Sequence, residues 1–263
     1  MITEQIAAIV SQASGLMVRN GFEIKEKGSS ANIVTSSDLA VQHFLVERLG
    51  ALLPGSGFLC EEEDLDDLSH EYIWIIDPID GTANYARGMS ECCISVGLAK
   101  GGEVIAGVVY VPWQGKMYRA EKGAGAFCND RAIHVSSRSF EDGMLCGAYC
   151  TYYKEHAKAC SDIMYDIFME SNDFRRYGSA AVELCLLAAG DVELYFEMRL
   201  QPWDFAAGGL MIQEAGGCFR TFGGAPVDPF KPGMIIAANS PSSLDRLVSI
   251  VGRHLPKLPY SVK

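Results

Sequence analysis

The spacing of apolar and polar residues divides the chain into two parts with different patterns. In the first part, apolar positions recur at helical spacing over residues 3–20, and a second helix is predicted to begin near Ser36 or Ser37 and to stop at Pro54. Apolar runs then predict strands at residues 57–61, 72–77, 92–99, 103–111 and 116–121. Polar, glycine-containing loops are predicted at residues 25–31 and 123–130.

Beyond about residue 140 the pattern changes, and strands alternate with helices. Strands are predicted at residues 144–149, 192–197, 218–221 and 234–238. Helices are predicted at residues 155–170, 180–189, 205–215 and 242–254. Strands gathered in the first part and alternation in the second predict a mixed α/β fold of two lobes, residues 1–140 and 141–263.

Composition and charge exclude several classes of protein. The 263 residues are 49% hydrophobic, which is too high a fraction for a disordered chain. Thirty-three acidic residues against 22 basic residues give a net charge of −11, which would repel a nucleic-acid backbone and an anionic membrane surface. The longest apolar runs are far below the roughly 20 residues of a membrane helix. We therefore expect neither a nucleic-acid partner nor a membrane.

The nine cysteines and the N-terminal segment favour a cytoplasmic protein. The cysteines form no CxxC pair, and none lies at zinc spacing from a histidine, so we expect reduced thiols in the core. The first residues, Met-Ile-Thr-Glu, lack the basic region with which a signal peptide begins.

The most informative segment follows the predicted strand at residues 72–77. The strand brings Asp77 to its end, Pro78 turns the chain, and Asp80 lies in the same turn, so that both carboxylates can converge on one cation. The Ile79 carbonyl is a further oxygen ligand. Oxygen-only ligands suit Mg²⁺ or Mn²⁺ rather than zinc. The alternative is an ordinary turn, because Asp-Pro and Asp-Gly are common turn pairs.

The next two residues add phosphate chemistry to this turn. Gly81 permits a backbone angle that other residues resist, and the Thr82 hydroxyl can contact a bound water. The backbone amides of Gly81 and Thr82 can donate hydrogen bonds to a phosphate oxygen.

Two further acidic positions, Glu61 and Asp204, support the prediction of a metal site. Glu61 stands at the end of a short apolar strand, whereas Asp64, Asp66 and Asp67 fit a solvated acidic loop better. Asp204 is predicted as the N-cap of an Ala/Gly-rich helix, and simple capping is the alternative role. Four carboxylates in one cleft would repel each other unless cations bind among them. A two-metal cluster of this kind makes phosphate-ester hydrolysis the natural reaction.

These residues resemble the motifs of the inositol monophosphatase family of Mg²⁺-dependent, lithium-sensitive phosphatases. DPIDGTANY (residues 77–85) is similar to the family signature. CEEE (60–63) resembles its Gly-Glu-Glu element, and PWDFAAG (202–208) resembles its C-terminal motif. The order of the three motifs matches, and Arg175-Arg176 resembles the bacterial members. The resemblance implies a layered αβαβα sandwich that is usually a homodimer.

The resemblance also implies a set of metal ligands. Glu61, Asp77 and the Ile79 carbonyl would hold a first Mg²⁺, for which Mn²⁺ is a possible substitute. Asp77, Asp80 and Asp204 would hold a second metal, and Glu61 with waters would hold a weaker third.

Catalytic roles follow from the same motifs. Thr82, assisted by Asp38, would orient the attacking water alongside Glu61. The amides of Gly81 and Thr82 would bind the phosphate.

Substrate contacts are implied in the second part of the chain. Glu197 resembles the acidic residue that contacts inositol hydroxyls, and Asp204 lies beside the substrate as well. Gly178, Ser179 and Ala180 resemble the loop that lines the substrate pocket.

The sequence departs from the family pattern at positions that hold no metal. Asn32 stands where several members have aspartate, Ala83 replaces a Thr or Ser, and Cys60 replaces the Gly of Gly-Glu-Glu. Lys27 aligns with a lysine near the mobile loop beside the third metal.

The function implied is hydrolysis of myo-inositol 1-phosphate, or of a close sugar or polyol phosphate, by a metal-activated water, with lithium inhibition. Fructose-1,6-bisphosphatase activity or dual specificity is the first alternative. A 3′(2′)-phosphoadenosine phosphatase ranks lower, because that branch usually has Lys and Glu where this chain has Ala83-Asn84. A non-catalytic binding partner of the transcription machinery is the alternative from another class.

Overall fold

The computed structural model describes residues 1–63, 65–149 and 153–254. The chain begins with two helices that flank a hairpin. Helix α1 (Ile2–Ala13) ends in a short 3₁₀ turn, and helix α2 (Ser36–Leu52) follows the hairpin. Strands β1 (Ile24–Ser29) and β2 (Asn32–Thr35) form that antiparallel hairpin. The prediction of a helix over 3–20 was too long, and the prediction of a loop at 25–31 was wrong.

A seven-stranded sheet carries most of the first part of the chain. Its order in space is β3 (Gly57–Cys60), β4 (Tyr72–Asp80), β5 (Cys93–Lys100), β6 (Glu103–Val111), β7 (Lys116–Glu121), β8 (Gly125–Cys128) and β9 (Arg131–Ile133). Strands β3 and β4 are parallel, and the remaining neighbours are antiparallel. The short helix α3 (Thr82–Tyr85) follows β4. The stretch predicted as a loop at 123–130 therefore contains β8.

A five-stranded sheet belongs to the second part of the chain. Its strands are β10 (Met144–Ala148), β11 (Asp173–Arg175), β12 (Leu194–Leu200), β13 (Cys218–Thr221) and β14 (Gly233–Ala238). The order in space is β11-β10-β12-β14-β13. Strand β10 is parallel to both its neighbours, and β14 is antiparallel to both of its own.

Helices cover both faces of each large sheet. Those of the second part are α4 (Ala157–Glu170), α5 (Ala180–Ala188), α6 (Pro202–Glu214) and α7 (Pro241–Gly252). Helices α1 and α2 pack on the outer face of the larger sheet, and α4 and α7 on the outer face of the smaller one. Helices α5 and α6 lie between the sheets and contribute to one apolar core with both. The layers are therefore αβαβα, as the family resemblance implied.

Small residues let helix α6 approach the larger sheet closely. A Cβ atom on Gly107 of β6 would lie 3.0 Å from the Cα atom of Ala207, and one on Gly97 of β5 would lie 3.3 Å from the Cβ atom of Ala206. On the other side, a Cβ atom on Gly208 would lie 2.7 Å from Leu184 of α5. The Ala/Gly-rich sequence thereby fixes the start of α6 beside the end of β4.

The end of β4 and the start of α6 both differ from the bounds that the sequence predicted. Strand β4 does not stop at Pro78 but continues to Asp80, because Asp80 pairs with Cys93 beyond an irregularity in the ladder. Helix α6 begins at Pro202 rather than at residue 205. Asp204 is therefore the third helical residue and not the N-cap, which is Gln201.

The cysteines and the helices can be compared with what the sequence predicted for them. The eight cysteines among them are free thiols, and Cys150 lies outside the described residues, as does Asp64 of the acidic loop. Among the described helices, none combines the length and apolar character that a membrane span requires. The boundary near residue 140 between two lobes stays a prediction.

Candidate active site

A cavity of about 360 Å³ opens where β4, α3, the start of α5, the end of β12 and the start of α6 meet. It is lined by almost all of the residues predicted for the site: Glu61, Asp77, Ile79, Asp80, Gly81, Thr82, Gly178, Ser179, Ala180, Glu197 and Asp204. Asp38 is the exception among them, because it is fully buried behind Thr82. The fold thus brings together residues that are up to 143 positions apart, from Glu61 to Asp204 (204 − 61).

Three carboxylates form a tight cluster in this cavity. One oxygen each from Asp77, Asp80 and Asp204 lies within 4.8 Å of the others. Each aspartate is held by the backbone: Asp77 Oδ1 accepts a hydrogen bond from the Ile79 amide at 3.0 Å, and Asp204 Oδ2 accepts one from the Gln201 amide at 2.7 Å. Asp80 Oδ2 accepts from the Ala181 amide at 2.7 Å. The side chains are therefore positioned before any ligand binds.

Burial and mutual repulsion perturb these carboxylates. Burial raises the pKa of Asp77 well above its ordinary value, and the charges of Glu61, Asp80 and Asp204 raise it further. Burial likewise raises the pKa of Asp80 to about 6, although hydrogen bonds from Ser179 and from the backbone oppose the rise. The pKa of Asp204 is also raised, by burial first and then by Asp80. A cation among them would remove this repulsion, and an all-oxygen donor set fits Mg²⁺ or Mn²⁺.

Glu61 lies beside the cluster and is paired with a lysine. Glu61 Oε1 accepts a hydrogen bond from Lys27 Nζ at 3.1 Å, and the same ammonium group contacts Glu62. Although burial alone would lower the pKa of Lys27, Glu61 and Glu62 raise it above its ordinary value. Lys27 therefore stays charged on β1, and the hairpin that the sequence did not predict carries the cation nearest Glu61.

Thr82 and Asp38 form a buried pair at the back of the cavity. Thr82 Oγ1 lies 3.2 Å from Asp38 Oδ1 and 3.0 Å from the Ile79 carbonyl oxygen, so its proton points inwards to one of these acceptors. Asp38 is held by the Thr35 amide at 2.8 Å in the capping box of α2. Burial raises the pKa of Asp38 to about 6, although the bonds from Thr35 oppose the rise.

Gly81 occupies a position that only glycine fits. Its φ of +88° lies in the left-handed region, and a Cβ atom there would lie 2.9 Å from the Glu91 carbonyl oxygen and 3.2 Å from Ser179 Cβ. Gly81 precedes helix α3, so the Thr82 amide belongs to the first turn of that helix, where N–H groups have no intrahelical acceptor.

Glu183 is a buried residue that the sequence reasoning missed. Its Oε1 atom accepts hydrogen bonds from the Tyr177 amide at 2.5 Å and the Gly178 amide at 3.0 Å, which fixes the loop before α5. Its Oε2 atom is buried without a hydrogen-bond partner among the described residues, and burial raises the pKa of Glu183 to about 7. A single acidic residue in the apolar helical run Ala180–Ala188 was the signal that could have identified it.

The far side of the cavity contains the predicted residue Glu197 and three residues outside the predicted site. Glu197 lies in β12, and its Oε2 atom accepts a hydrogen bond from the Tyr195 hydroxyl at 2.7 Å. Arg199, Arg176 and Tyr153 line the same cavity. Charged residues at alternate positions of a strand are common, so the sequence alone does not distinguish Arg199 from an ordinary surface arginine.

Comparison with known proteins shows which family and which solved structures this chain resembles. A model of the inositol monophosphatase family matches residues 2–255. The Nus factor SuhB of Vibrio cholerae is 35% identical over 216 residues, which is 81% of this chain and 80% of that protein. The fructose-1,6-bisphosphatase/inositol-1-monophosphatase of Aquifex aeolicus is 33% identical over 242 residues, 89% of this chain and 90% of that protein. The crystal structure of the extragenic suppressor protein suhB from Bartonella henselae has a TM-score of 0.88 at 29% identity, and the match covers 95% of this chain and 98% of that one.

Proposed function

Because the chain belongs to the inositol monophosphatase family, we propose that it is a metal-dependent phosphatase whose substrates are myo-inositol 1-phosphate or closely related polyol and sugar phosphates. The observation that carries this proposal is the cluster of Asp77, Asp80 and Asp204 in a cavity that also holds Gly81 and Thr82. Capping alone would explain one of the aspartates, but it does not explain three carboxylates whose oxygens lie within 4.8 Å of one another and that form no ion pair with arginine or lysine among the described residues.

The cations would be held by five oxygen-bearing groups, namely the side chains of Glu61, Asp77, Asp80 and Asp204 and the Ile79 carbonyl. Mg²⁺ is the proposed cofactor, with Mn²⁺ as a substitute. A divalent cation at this cluster supplies Lewis-acid stabilisation of the charge that develops on a phosphoryl group.

The remaining residues position the water and the phosphate. The Thr82 proton is bound to inward-facing acceptors, so Thr82 Oγ1 offers a lone pair to a water in the cavity. Glu61 is the second acceptor that faces the cavity, and together they hold that water for in-line attack on phosphorus. The amides of Gly81 and Thr82 donate to the phosphate oxygens. Phosphate leaves without a covalent enzyme intermediate, because this arrangement assigns the attack to water.

The substrate alcohol would lie against the second part of the chain. Glu197 accepts hydrogen bonds from polyol hydroxyls, and residues 178–180, fixed by Glu183, form the wall beside it. Fructose-1,6-bisphosphatase activity is a second candidate, and the name of the Aquifex aeolicus relative favours it. A non-catalytic role is a third, and the name of the Vibrio cholerae relative favours that one. Dimer formation, a cytoplasmic location and lithium inhibition stay predictions.

Phosphate release from inositol 1-phosphate, fructose 1,6-bisphosphate and 3′-phosphoadenosine 5′-phosphate tests the proposal. We expect Mg²⁺-dependent release from the first substrate or from both of the first two, and a loss of roughly 10²–10³-fold in kcat on Asp80→Asn. Asp130→Asn, at an exposed carboxylate in the turn between β8 and β9, should leave the activity unchanged. Full activity in excess EDTA would contradict the metal site. If no substrate is hydrolysed, the non-catalytic role takes its place.

A further inference from the structure

Arg199 is a partly buried cation without an anionic partner in the part of the chain that the structure describes. Its Nε atom is buried with no hydrogen-bond partner, and the guanidinium takes part in no ion pair within the described residues. The group is instead held over the Tyr153 ring, with Cζ 4.3 Å from the ring centroid. Stacking holds the guanidinium in place, while its Nε–H group has no acceptor among the described residues, and buried cations are ordinarily paired.

Arg199 lies in the cavity of the carboxylate cluster. Three cationic side chains among the described residues line this cavity, namely Lys27, Arg176 and Arg199. Lys27 is bonded to both Glu61 and Glu62, so it is not available to a substrate. Arg176 is close enough to Glu183 to lower the pKa of that carboxyl, and it faces the same space from the loop before α5. The two arginines approach the cavity from different elements, β12 and the loop that follows β11.

The positions along β12 indicate what the arginines would contact. Arg199 follows Glu197 by two residues, which is about 7 Å along an extended strand. Glu197 is the proposed partner of substrate hydroxyl groups, and the phosphate that is cleaved is placed at the aspartate cluster. A group that reaches Arg199 is therefore a substituent of the alcohol and not the phosphate that is cleaved.

We propose that Arg199, with Arg176, forms a second anion subsite, so that the preferred substrate is a phosphorylated sugar or polyol that carries a further phosphate or carboxylate group. This inference rests on the proposed phosphatase function. A guanidinium donates two parallel hydrogen bonds to either anion, and the Tyr153 ring holds it in the orientation for doing so. In a chain of net charge −11, such a subsite offsets the repulsion that a dianionic ligand would otherwise meet.

Two matched pairs of substrates test the subsite. Fructose 1,6-bisphosphate is compared with fructose 1-phosphate, and 6-phosphogluconate with the open-chain sorbitol 6-phosphate, so that each pair differs by one anionic group. We expect kcat/KM to favour the doubly anionic member of at least one pair by about tenfold or more. The pair that responds identifies phosphate or carboxylate as the preferred group.

Variants assign that preference to the arginines. Arg199→Gln should lower the ratio of kcat/KM within the responding pair by about tenfold, and Arg199→Lys should lower it less. Arg176→Gln, at an exposed position, should lower the ratio without affecting the fold. Arg48→Gln is the matched control, because Arg48 also stacks on a ring, that of Phe44 at 5.2 Å, but does not line the cavity. The ratio is informative because a merely structural role of Arg199 would reduce both members of a pair equally.

The inference is wrong if the wild-type protein discriminates within neither pair, or if both Arg199→Gln and Arg176→Gln keep the wild-type ratio. If none of the four esters is hydrolysed, the subsite is tested by binding instead, and the proposed function fails only if inositol 1-phosphate is not hydrolysed either. Calorimetry with the Ca²⁺-loaded protein should then give a Kd for fructose 1,6-bisphosphate at least about tenfold below that for fructose 1-phosphate, and Arg199→Gln should abolish the difference. Equal Kd values in the wild-type protein would overturn the subsite.

Discussion

Replacing Asp77 by asparagine is expected to reduce kcat for phosphate release by roughly 10²–10³-fold or more, at any Mg²⁺ concentration that saturates the wild-type protein. Asp77 is the most buried member of the cluster, and Glu61, Asp80 and Asp204 all act on its charge. An asparagine retains the acceptor for the Ile79 amide but not the negative charge. Initial rates with inositol 1-phosphate over a Mg²⁺ titration measure the effect.

The same substitution should stabilise the protein when metal is absent. Because burial and neighbouring charges raise the pKa of Asp77, its ionised form destabilises the folded state. This penalty is greatest above the raised pKa, starts to shrink as the pH falls through that pKa, and is gone below the ordinary pKa of 3.8. In EDTA at pH 8, Asp77→Asn should therefore raise Tm by about 2–4 °C, and the gain should shrink towards pH 5. Asp130→Asn should show neither effect. A lower Tm for Asp77→Asn at pH 8 would contradict the repulsion within the cluster.

Replacing Gly81 by alanine is expected to have the next largest effect, on both activity and stability. The left-handed backbone costs an alanine about 1–2 kcal/mol, and its Cβ atom would lie 2.9 Å from the Glu91 carbonyl oxygen, which is backbone and cannot rotate away. We expect the free energy of unfolding to fall by about 2–4 kcal/mol and kcat/KM to fall roughly 100-fold, because the turn between Asp80 and Thr82 must shift. Urea denaturation and steady-state kinetics measure the two quantities.

Gly88→Ala is the matched control for this substitution. Gly88 also has a positive φ, +71°, but a Cβ atom there would have no neighbour within 4 Å. The Gly88→Ala variant should lose only the free energy that a left-handed backbone costs an alanine, about 1–2 kcal/mol, and should keep its activity. If Gly81→Ala behaves like Gly88→Ala, the close contact between the turn and residues 91 and 179 has no part in the site.

The sequence predicted the helices and central strands well because their apolar residues are periodic and buried. It failed on the β1–β2 hairpin, where β1 is almost entirely exposed and so lacks alternation. It also ended β4 at Pro78, although pairing with β5 resumes at Asp80. A proline at a ladder irregularity loses no hydrogen bond, and local sequence does not reveal which strand lies alongside.

The candidate site likewise contains residues that the sequence identifies and residues that only the fold identifies. Asp77, Asp80, Gly81 and Thr82 are recognisable because one contiguous sequence motif contains them, and Asp204 because a second motif does. Glu183 and Arg199 are different, since their importance depends on what the fold places around them. Within residues 1–63, 65–149 and 153–254, Glu183 has a buried acceptor without a partner and Arg199 is a stacked cation without an anion, and both are properties of the assembled cavity.

The position of a bound cation decides whether the aspartate cluster is a metal site. Crystals grown with Mn²⁺ and inorganic phosphate would reveal the metal by its anomalous scattering. The cluster predicts Mn²⁺ bound directly to carboxylate oxygens of Asp77, Asp80 and Asp204, with phosphate at the Gly81 and Thr82 amides. Absence of anomalous density among these three aspartates, at a Mn²⁺ concentration that supports phosphate release, would contradict the account.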